Sequence, residues 1–320
     1  MGIRHTFAAA CAALAVTIAP IPASAAQFVN ILTGGTSGVY YPMGVALSKI
    51  FSERIEDARV QVQATKASVE NLNLLQGGKG EIAFSLGDSV KAAAEGDAEA
   101  GFPQPLEKLR GVTAIYPNYI QIVASAESGI RTLEDLRGMR VSVGAPKSGT
   151  ELNARAILAA AGMSYDDFAK VEFLPFAESV ELMKNRQLDA TLQSAGLGVA
   201  SLKDLSTSIP ISVVAIPVEI AEELGAPYVS TAIPANTYDG QTEDVTTVAV
   251  INFLITHEDV PEETVYQMTR GIYENLDELR AAHSAAEAID LQQALLGMPV
   301  PLHPGAKRYF DEQGLDTTGH

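Results

Sequence analysis

The chain has 320 residues, 47% of them hydrophobic and 19% charged, a globular composition with length for two domains of ordinary size. Its net charge of −17 disfavours nucleic acid and anionic membrane as partners, since both require a basic face. The only cysteine is Cys11, so the chain beyond it offers no disulfide, no Cys-ligated metal site and no Cys nucleophile.

Residues 1–26 read as a secretory signal peptide. Arg4 supplies a short basic start, Phe7 to Ala19 is apolar or small apart from Thr17, and Pro20 and Pro22 break the run. Ala23-Ser24-Ala25-Ala26 then offers an A-x-A cleavage site, with cleavage expected near 25–26. The apolar run is too short to span a bilayer, which takes about 20 residues. Only Phe7 to Ala10 precede Cys11, too little for a lipoprotein signal. Once Arg4 is removed, 21 basic residues face 39 acidic ones, a net charge of −18. An anionic ligand would be repelled by this field at long range, so its site must attract it locally.

Phe28 to Thr33 alternates and is rich in branched residues, which predicts a strand, with Gly34-Gly35-Thr36-Ser37-Gly38 and a helix from about Pro42 to Ile55 after it. Val60 to Thr65 predicts a second strand. Ser68 reads as the N-cap of a helix over Val69 to Gln76, and Glu81 to Leu86 as a third strand. The alternation of strand and helix predicts a mostly parallel sheet covered on both faces. The pattern then restarts. Ile120 to Ser125 is a strand, Thr132 caps a short helix ending near Gly138, and Arg140 to Val143 leads into Gly144-Ala145-Pro146-Lys147-Ser148-Gly149-Thr150. A helix from Glu151 to Ala161, a strand from Val171 to Leu174, a helix from Glu178 to Asn185 and strands at Ala190 to Gln193 and Ile211 to Ile216 complete a second α/β lobe. Thr247 to Ile255 predicts one more strand. From Pro261, the spacing of Val265, Met268, Ile272, Leu276 and Leu279 predicts one long helix whose apolar residues are core. Tyr116-Pro117-Asn118-Tyr119 and Ala232 to Thr242 read as two crossings between lobes, forming a hinge.

Each lobe carries a strand, a Gly/Ser/Thr loop and a helix. The first amides of a helix lack internal partners and sit at the positive end of its dipole. Hydroxyls at Thr36, Ser37, Ser148 and Thr150 add donors. Two such loops facing each other would clamp a carboxylate, because backbone dipoles act where net charge does not. Neither loop is a Walker A motif or a G-x-G-x-x-G fingerprint, so nucleotide binding is not expected. No G-x-S-x-G elbow is present, and His257-Glu258 is not part of H-E-x-x-H. His283, at a helix end where a cation favours the dipole, and His303, in a tail loop between Pro301 and Pro304, read as structural or surface residues. Neither a catalytic group nor a metal site is expected.

The chain resembles the TAXI family, the solute-binding proteins of one branch of TRAP (tripartite ATP-independent periplasmic) transporters. The resemblance is carried by Thr33-Gly34-Gly35-Thr36-Ser37-Gly38-Val39-Tyr40-Tyr41-Pro42, Gln63-Ala64-Thr65 with Ser68-Val69-Glu70-Asn71, and Ser128-Gly129-Ile130. It continues through 133–138, Val141 to Pro146 with Ser148-Gly149-Thr150-Glu151, Glu274 to Leu279, and Pro299 to Ala306. It implies an α/β type II periplasmic binding protein, with two doubly wound lobes joined by a hinge as in a Venus flytrap. Lobe 1 would hold 27–117 and 242–320, and lobe 2 would hold 118–241. The implied protein is a periplasmic monomer that captures glutamate or a related dicarboxylate such as 2-oxoglutarate, without cofactor, and delivers it to a TRAP permease in the inner membrane. By position, Thr36, Ser37, Gly38, Val39, Tyr40, Ser68, Asn71, Ser148, Gly149 and Thr150 would line the cleft, with Gln193 and Ser194 at a strand end in the second lobe. The chain departs from the family pattern twice. Phe84-Ser85-Leu86-Gly87-Asp88 stands where many members read Phe-Val-Gln-Ser-Asp, placing Ser85 and Asp88 at the cleft edge. Lys66-Ala67 replaces a small pair, often Gly-Gly, and Lys66 either supplies a charge to a carboxylate or snorkels on the rim. Two other readings use the same fold: a module that presents its ligand to a signalling receptor, distinguished by the absence of a permease gene nearby, and a periplasmic enzyme, distinguished by turnover of a bound ligand.

Overall fold

The computed structural model describes residues 27–319, and the expected signal peptide lies outside them. Strand β1 (Gln27–Leu32) pairs in parallel with β2 (Ala58–Gln63) on one side and β3 (Ile82–Leu86) on the other. The run Ile82-Ala83-Phe84-Ser85-Leu86 is buried throughout, as expected of a strand covered on both faces. Helix α1 (Tyr40–Arg54) follows β1 and buries Met43, Leu47, Ile50 and Phe51, a stripe at helical spacing. Helix α2 (Ser68–Gln76) follows β2, and α3 (Gly87–Glu95) follows β3.

The next strand, β4 (Leu109–Ser125), has 17 residues and enters the second lobe. There β5 (Arg140–Ser142) leads to α4 (Gly149–Ala160), β6 (Lys170–Glu172) to α5 (Phe176–Lys184), and β7 (Ala190–Ala195) to α6 (Ala200–Ser208). After β8 (Ile211–Val214), α7 (Val218–Leu224) and β9 (Val229–Ile233), the chain returns through β10 (Val245–His257) to the first lobe, where α8 (Glu262–Glu274), α9 (Leu276–Ala282) and α10 (Pro304–Glu312) complete it. No helix among the described residues is long and apolar enough to cross a membrane.

One ten-stranded sheet runs through the molecule in the order β2-β1-β3-β10-β4-β7-β5-β6, with β8 on β4 and β9 on β10. Its two long members join the lobes. In β4, Leu109 to Tyr119 pairs with β10, whereas Tyr119 to Ala124 pairs with β7. In β10, Val245 to Ala249 pairs with β9, whereas Asn252 to Ile255 pairs with β3. Pro117 sits at this change of partners, opposite Ile251 and beside a register shift. A proline lacks the N–H of a regular ladder and is tolerated at such an irregularity.

The first crossing expected from sequence therefore lies inside β4. The second does not lie at 232–242, because that segment ends β9 and turns into β10 as a hairpin. Turn residues such as Pro234, Asn236 and Gly240 make a hairpin as readily as a linker. The other crossing is in β10, so the boundary near 242 falls too early. The helix expected from Pro261 to Leu279 is also broken. Asn275 leaves helical geometry at φ −132° and ψ 36°, and its side-chain amide donates to the Gly271 carbonyl at 2.7 Å. An asparagine side chain competes with the helix ladder in this way.

Candidate functional site

The loops that follow β1, β2, β5 and β6 all reach one cavity of about 120 Å³ between the lobes. Ligands of open α/β sheets bind at such carboxyl ends of parallel strands. Each loop opens a helix, so the N-termini of α1, α2, α4 and α5 converge on the same space. The backbone amides of Tyr40, Ser68, Gly149, Thr150 and Phe176, all lining residues, have no acceptor among the described residues. These are the orphan donors of helix first turns.

Two backbone positions shape the clamp. Gly144 has φ +96°, and a Cβ there would stand 2.7 Å from the Thr150 methyl, so the turn into α4 needs glycine. A Cβ on Gly149 would stand 2.6 Å from Leu86 Cδ1 and 2.7 Å from the Ser68 hydroxyl, so the two lobes meet here with no room for a side chain. Close by, the Glu70 amide of α2 donates to the Lys147 carbonyl at 3.3 Å, across the cleft. Two residues just before these helices hold positive φ although neither is glycine: Ala67 at 69° and Lys147 at 60°.

Of the residues expected at the site, Gly38, Val39, Tyr40, Lys66, Ser68, Ser148, Gly149, Thr150 and Ser194 line this cavity. Ser148 caps α4, its hydroxyl accepting from the Glu151 amide at 3.2 Å. Ser68 is not a cap. It is the first residue of α2, and its hydroxyl accepts from the Leu86 amide at 3.1 Å. Lys66 is exposed at the rim, and its ammonium has no ion pair among the described residues.

The other six lie outside the cavity lining. Thr36 and Ser37 sit in the outer turn of the first loop. Asn71 is fully buried behind the wall, where its amide donates to the Thr33 carbonyl at 2.7 Å and to the Phe84 carbonyl at 2.8 Å, and its oxygen accepts from the Thr65 hydroxyl at 2.6 Å. It thus fixes the Thr65-Lys66-Ala67 loop without facing a ligand. Ser85 is buried within β3. Gln193 and Ser194 are neighbours on one strand, so their side chains point to opposite faces; Ser194 faces the cleft and Gln193 turns back to accept from the Ser201 hydroxyl at 2.6 Å.

Asp88 spans the lobes instead of facing the cavity. Its carboxylate accepts from the Asn153 amide at 2.6 Å and the Tyr228 hydroxyl at 2.8 Å, both in the second lobe, and from the Ser89 amide at 2.8 Å. Burial pushes this carboxyl above the usual carboxylate range, against the opposing pull of Tyr228, the Ser89 amide and Asn153. Asn153 in turn accepts from the Ser194 hydroxyl at 2.6 Å. On the hinge side, the Asn252 side chain of β10 accepts from the Tyr40 hydroxyl and donates to the Asn118 side-chain oxygen Oδ1 at 2.7 Å, while the Asn118 side-chain amide donates to the Ser194 carbonyl at 3.0 Å. A chain of polar side chains thus runs beneath the cavity from lobe to lobe.

Sequence reasoning missed Phe176, whose ring lies 3.9 Å from where a Gly38 Cβ would stand and covers the first loop. The fourth loop, Phe173-Leu174-Pro175, contains no Gly, Ser or Thr, and Pro175 at its helix boundary was the available signal. Asn118, hidden inside a hinge strand, was missed as well. The histidines lie elsewhere. His303 is the buried N-cap of α10, accepting from the Gly305 amide at 3.2 Å, the structural one of its two expected roles. His283 accepts from the Ala285 amide at 3.0 Å, and burial lowers its pKa, which works against a charge at this helix end.

A family model described as the NMT1-like family matches residues 31–314. The chain belongs to the NMT1-like family. Its fold is that of known periplasmic binding proteins. PhnD1 from Prochlorococcus marinus in complex with methylphosphonate superposes with a TM-score of 0.57 at 12% identity, over 83% of this chain and 92% of that one. MatC from Rhodopseudomonas palustris with bound malate gives 0.57 at 12% identity, over 89% and 98%. The periplasmic binding protein BugD gives 0.57 at 9% identity, over 90% and 96%. At such identities the likeness is one of fold, and the ligand must be argued from this chain's own residues.

Proposed function

We propose that this protein captures a small organic anion of the glutamate or 2-oxoglutarate class between its lobes and passes it to a TRAP permease in the membrane. The observation that carries the reading is the opposition of two helix N-termini across one cavity: the free amides of Ser68 at α2 face those of Gly149 and Thr150 at α4. Binding works by population shift, because an anion that bonds both lobes stabilises only the closed arrangement. Such local donors answer the problem posed by a net charge of −17. The bound methylphosphonate and malate of two fold neighbours support an acidic ligand by analogy. The resemblance to the TAXI family supports the TRAP permease as the recipient, and the N-terminal pattern supports a periplasmic location. Titration calorimetry of ligand-stripped protein with a panel of small carboxylates tests the capture: heat of binding is expected for at least one, and none from any acid overturns the reading. Uptake by vesicles holding the cognate permease, with and without this protein, tests delivery.

A further inference from the structure

We infer that the ligand is an acceptor-only anion, a carboxylic or oxo acid without an ammonium group, so that of the two ligand types proposed above the amino acid is the disfavoured one. This rests on the reading that an organic anion binds in the cavity.

A buried ammonium brings three N–H donors and a positive charge, and each needs an acceptor. The cavity is lined by 19 residues and none is aspartate or glutamate. The acids nearest in sequence to the lining are already engaged. Glu70 accepts from the Lys66 amide at 2.6 Å. Asp88 is held by Asn153, Tyr228 and the Ser89 amide. Glu151 is paired with Arg155 at 2.9 Å and accepts from the Tyr165 hydroxyl at 2.9 Å.

Several of the loop carbonyls are committed too, although those of Gly38, Thr65 and Lys66 accept from no group among the described residues. The carbonyl of Gly35 accepts from the Gly38 amide at 3.0 Å, that of Ala67 from Asn71 at 3.0 Å, and that of Ala145 from Ser148 at 3.2 Å. The Pro175 carbonyl accepts from the Ser179 amide at 3.0 Å and the Ser194 carbonyl from Asn118 at 3.0 Å. The hydroxyl oxygens of Tyr40, Ser68, Ser148, Thr150 and Ser194 keep spare lone pairs, but all are neutral, and the protons of Tyr40 and Ser194 are given to asparagine oxygens. Against this stand the free amides of five lining residues, the second N–H of Asn118 and the ammonium of Lys66. A site rich in donors and poor in acceptors suits carboxylate and keto oxygens. It leaves an ammonium desolvated and without an anionic partner next to the positive ends of helix dipoles. A site whose polar groups are mismatched to a ligand rejects it strongly.

The test is calorimetry on the ligand-stripped full-length mature protein with matched acids at two chain lengths: succinate, oxaloacetate and L-aspartate, then glutarate, 2-oxoglutarate and L-glutamate. In whichever series binds, the amino acid is expected to bind at least about a hundredfold more weakly than its des-amino or oxo partner, since an unpaired buried charge costs several kcal/mol. An amino acid that binds as tightly as its partner overturns this inference and leaves the capture of an anion standing. No heat from any of the six overturns the dicarboxylate reading and this inference together.

Discussion

Gly149 of the second lobe and Ser68 of the first approach so closely that a single methyl on Gly149 would stand 2.7 Å from the Ser68 hydroxyl. The contact joins the first residues of two helices whose free amides border the cavity. Gly149→Ala is therefore expected to hold the lobes apart. Overpacking of this kind costs about 1–3 kcal/mol, or about five- to 150-fold in affinity. Gly149→Leu should abolish binding. Calorimetry reads the loss, and solution scattering with ligand should show an open molecule where the unmodified protein closes. Unchanged affinity in the alanine variant would place the anion elsewhere.

Lys66 is the one ionised side chain in the cavity lining. Its rim position is exposed, so its contribution is screened and modest, about 0.2–1 kcal/mol. Lys66→Ala should weaken anion binding by up to about fivefold at low salt, and the difference from the unmodified protein should vanish at high ionic strength. Lys66→Arg should bind as before. A Lys66→Ala variant with unaltered affinity at low salt would mean that the side chain only covers the rim.

Ala67 holds φ 69° and ψ −147° at the entry to α2, a region glycine adopts freely and alanine does not. The strain relieved by Ala67→Gly, about 1–2 kcal/mol, outweighs the added freedom of the unfolded chain, about 0.4–1 kcal/mol. A rise in Tm of about 2–4 °C is expected in thermal melts of the ligand-free protein. A fall would show that the loop is not strained at this residue.

Asp88 joins the lobes through Asn153 and Tyr228, with its pKa raised above the ordinary value by burial. A raised carboxyl means that the folded protein holds its proton more tightly than the unfolded chain does. The stability associated with it is thus complete below the unfolded value of about 4 and is lost as pH rises through the folded value. Other carboxylates, such as Asp189 beside Arg140, are lowered and work in the opposite direction. The informative quantity is the difference from Asp88→Asn, which does not titrate. In denaturant melts, the stability of the unmodified protein relative to the variant should decline as pH rises from about 4. A constant difference across that range would refute the raised pKa.

What could be read from the sequence depended on how local the signal was. The loops Gly34 to Gly38 and Gly144 to Thr150 and the helices after them are written in adjacent residues, and the cavity lies between them. The pairing of Gln193 with Ser194 failed on strand alternation, which assigns only one of two neighbours to a face. Asn71 and Asp88 sit near the site in sequence, yet their side chains answer to partners 38 and 65 residues away, Thr33 and Asn153. The hinge was misplaced because turn-rich residues at 232–242 announce themselves, whereas a strand that changes partners midway, as β10 does, looks like any other strand. Phe176 carries no local mark of its role, which exists only because the second lobe lays it over Gly38.

The return of β10 also sets the order in which the molecule can be completed. As the chain is made from its N-terminus, β3 has its place beside β1, but its other edge must wait for Asn252 to Ile255. The first half of β4 waits for the same strand. Until then two unsatisfied strand edges stand open in the nascent chain, templates for pairing with the wrong neighbour. Contacts so distant in sequence form slowly. A chain with this topology stays open to mispairing until residue 257 has emerged, and substitutions in β10 should lower yield more severely than their cost to the finished protein would suggest.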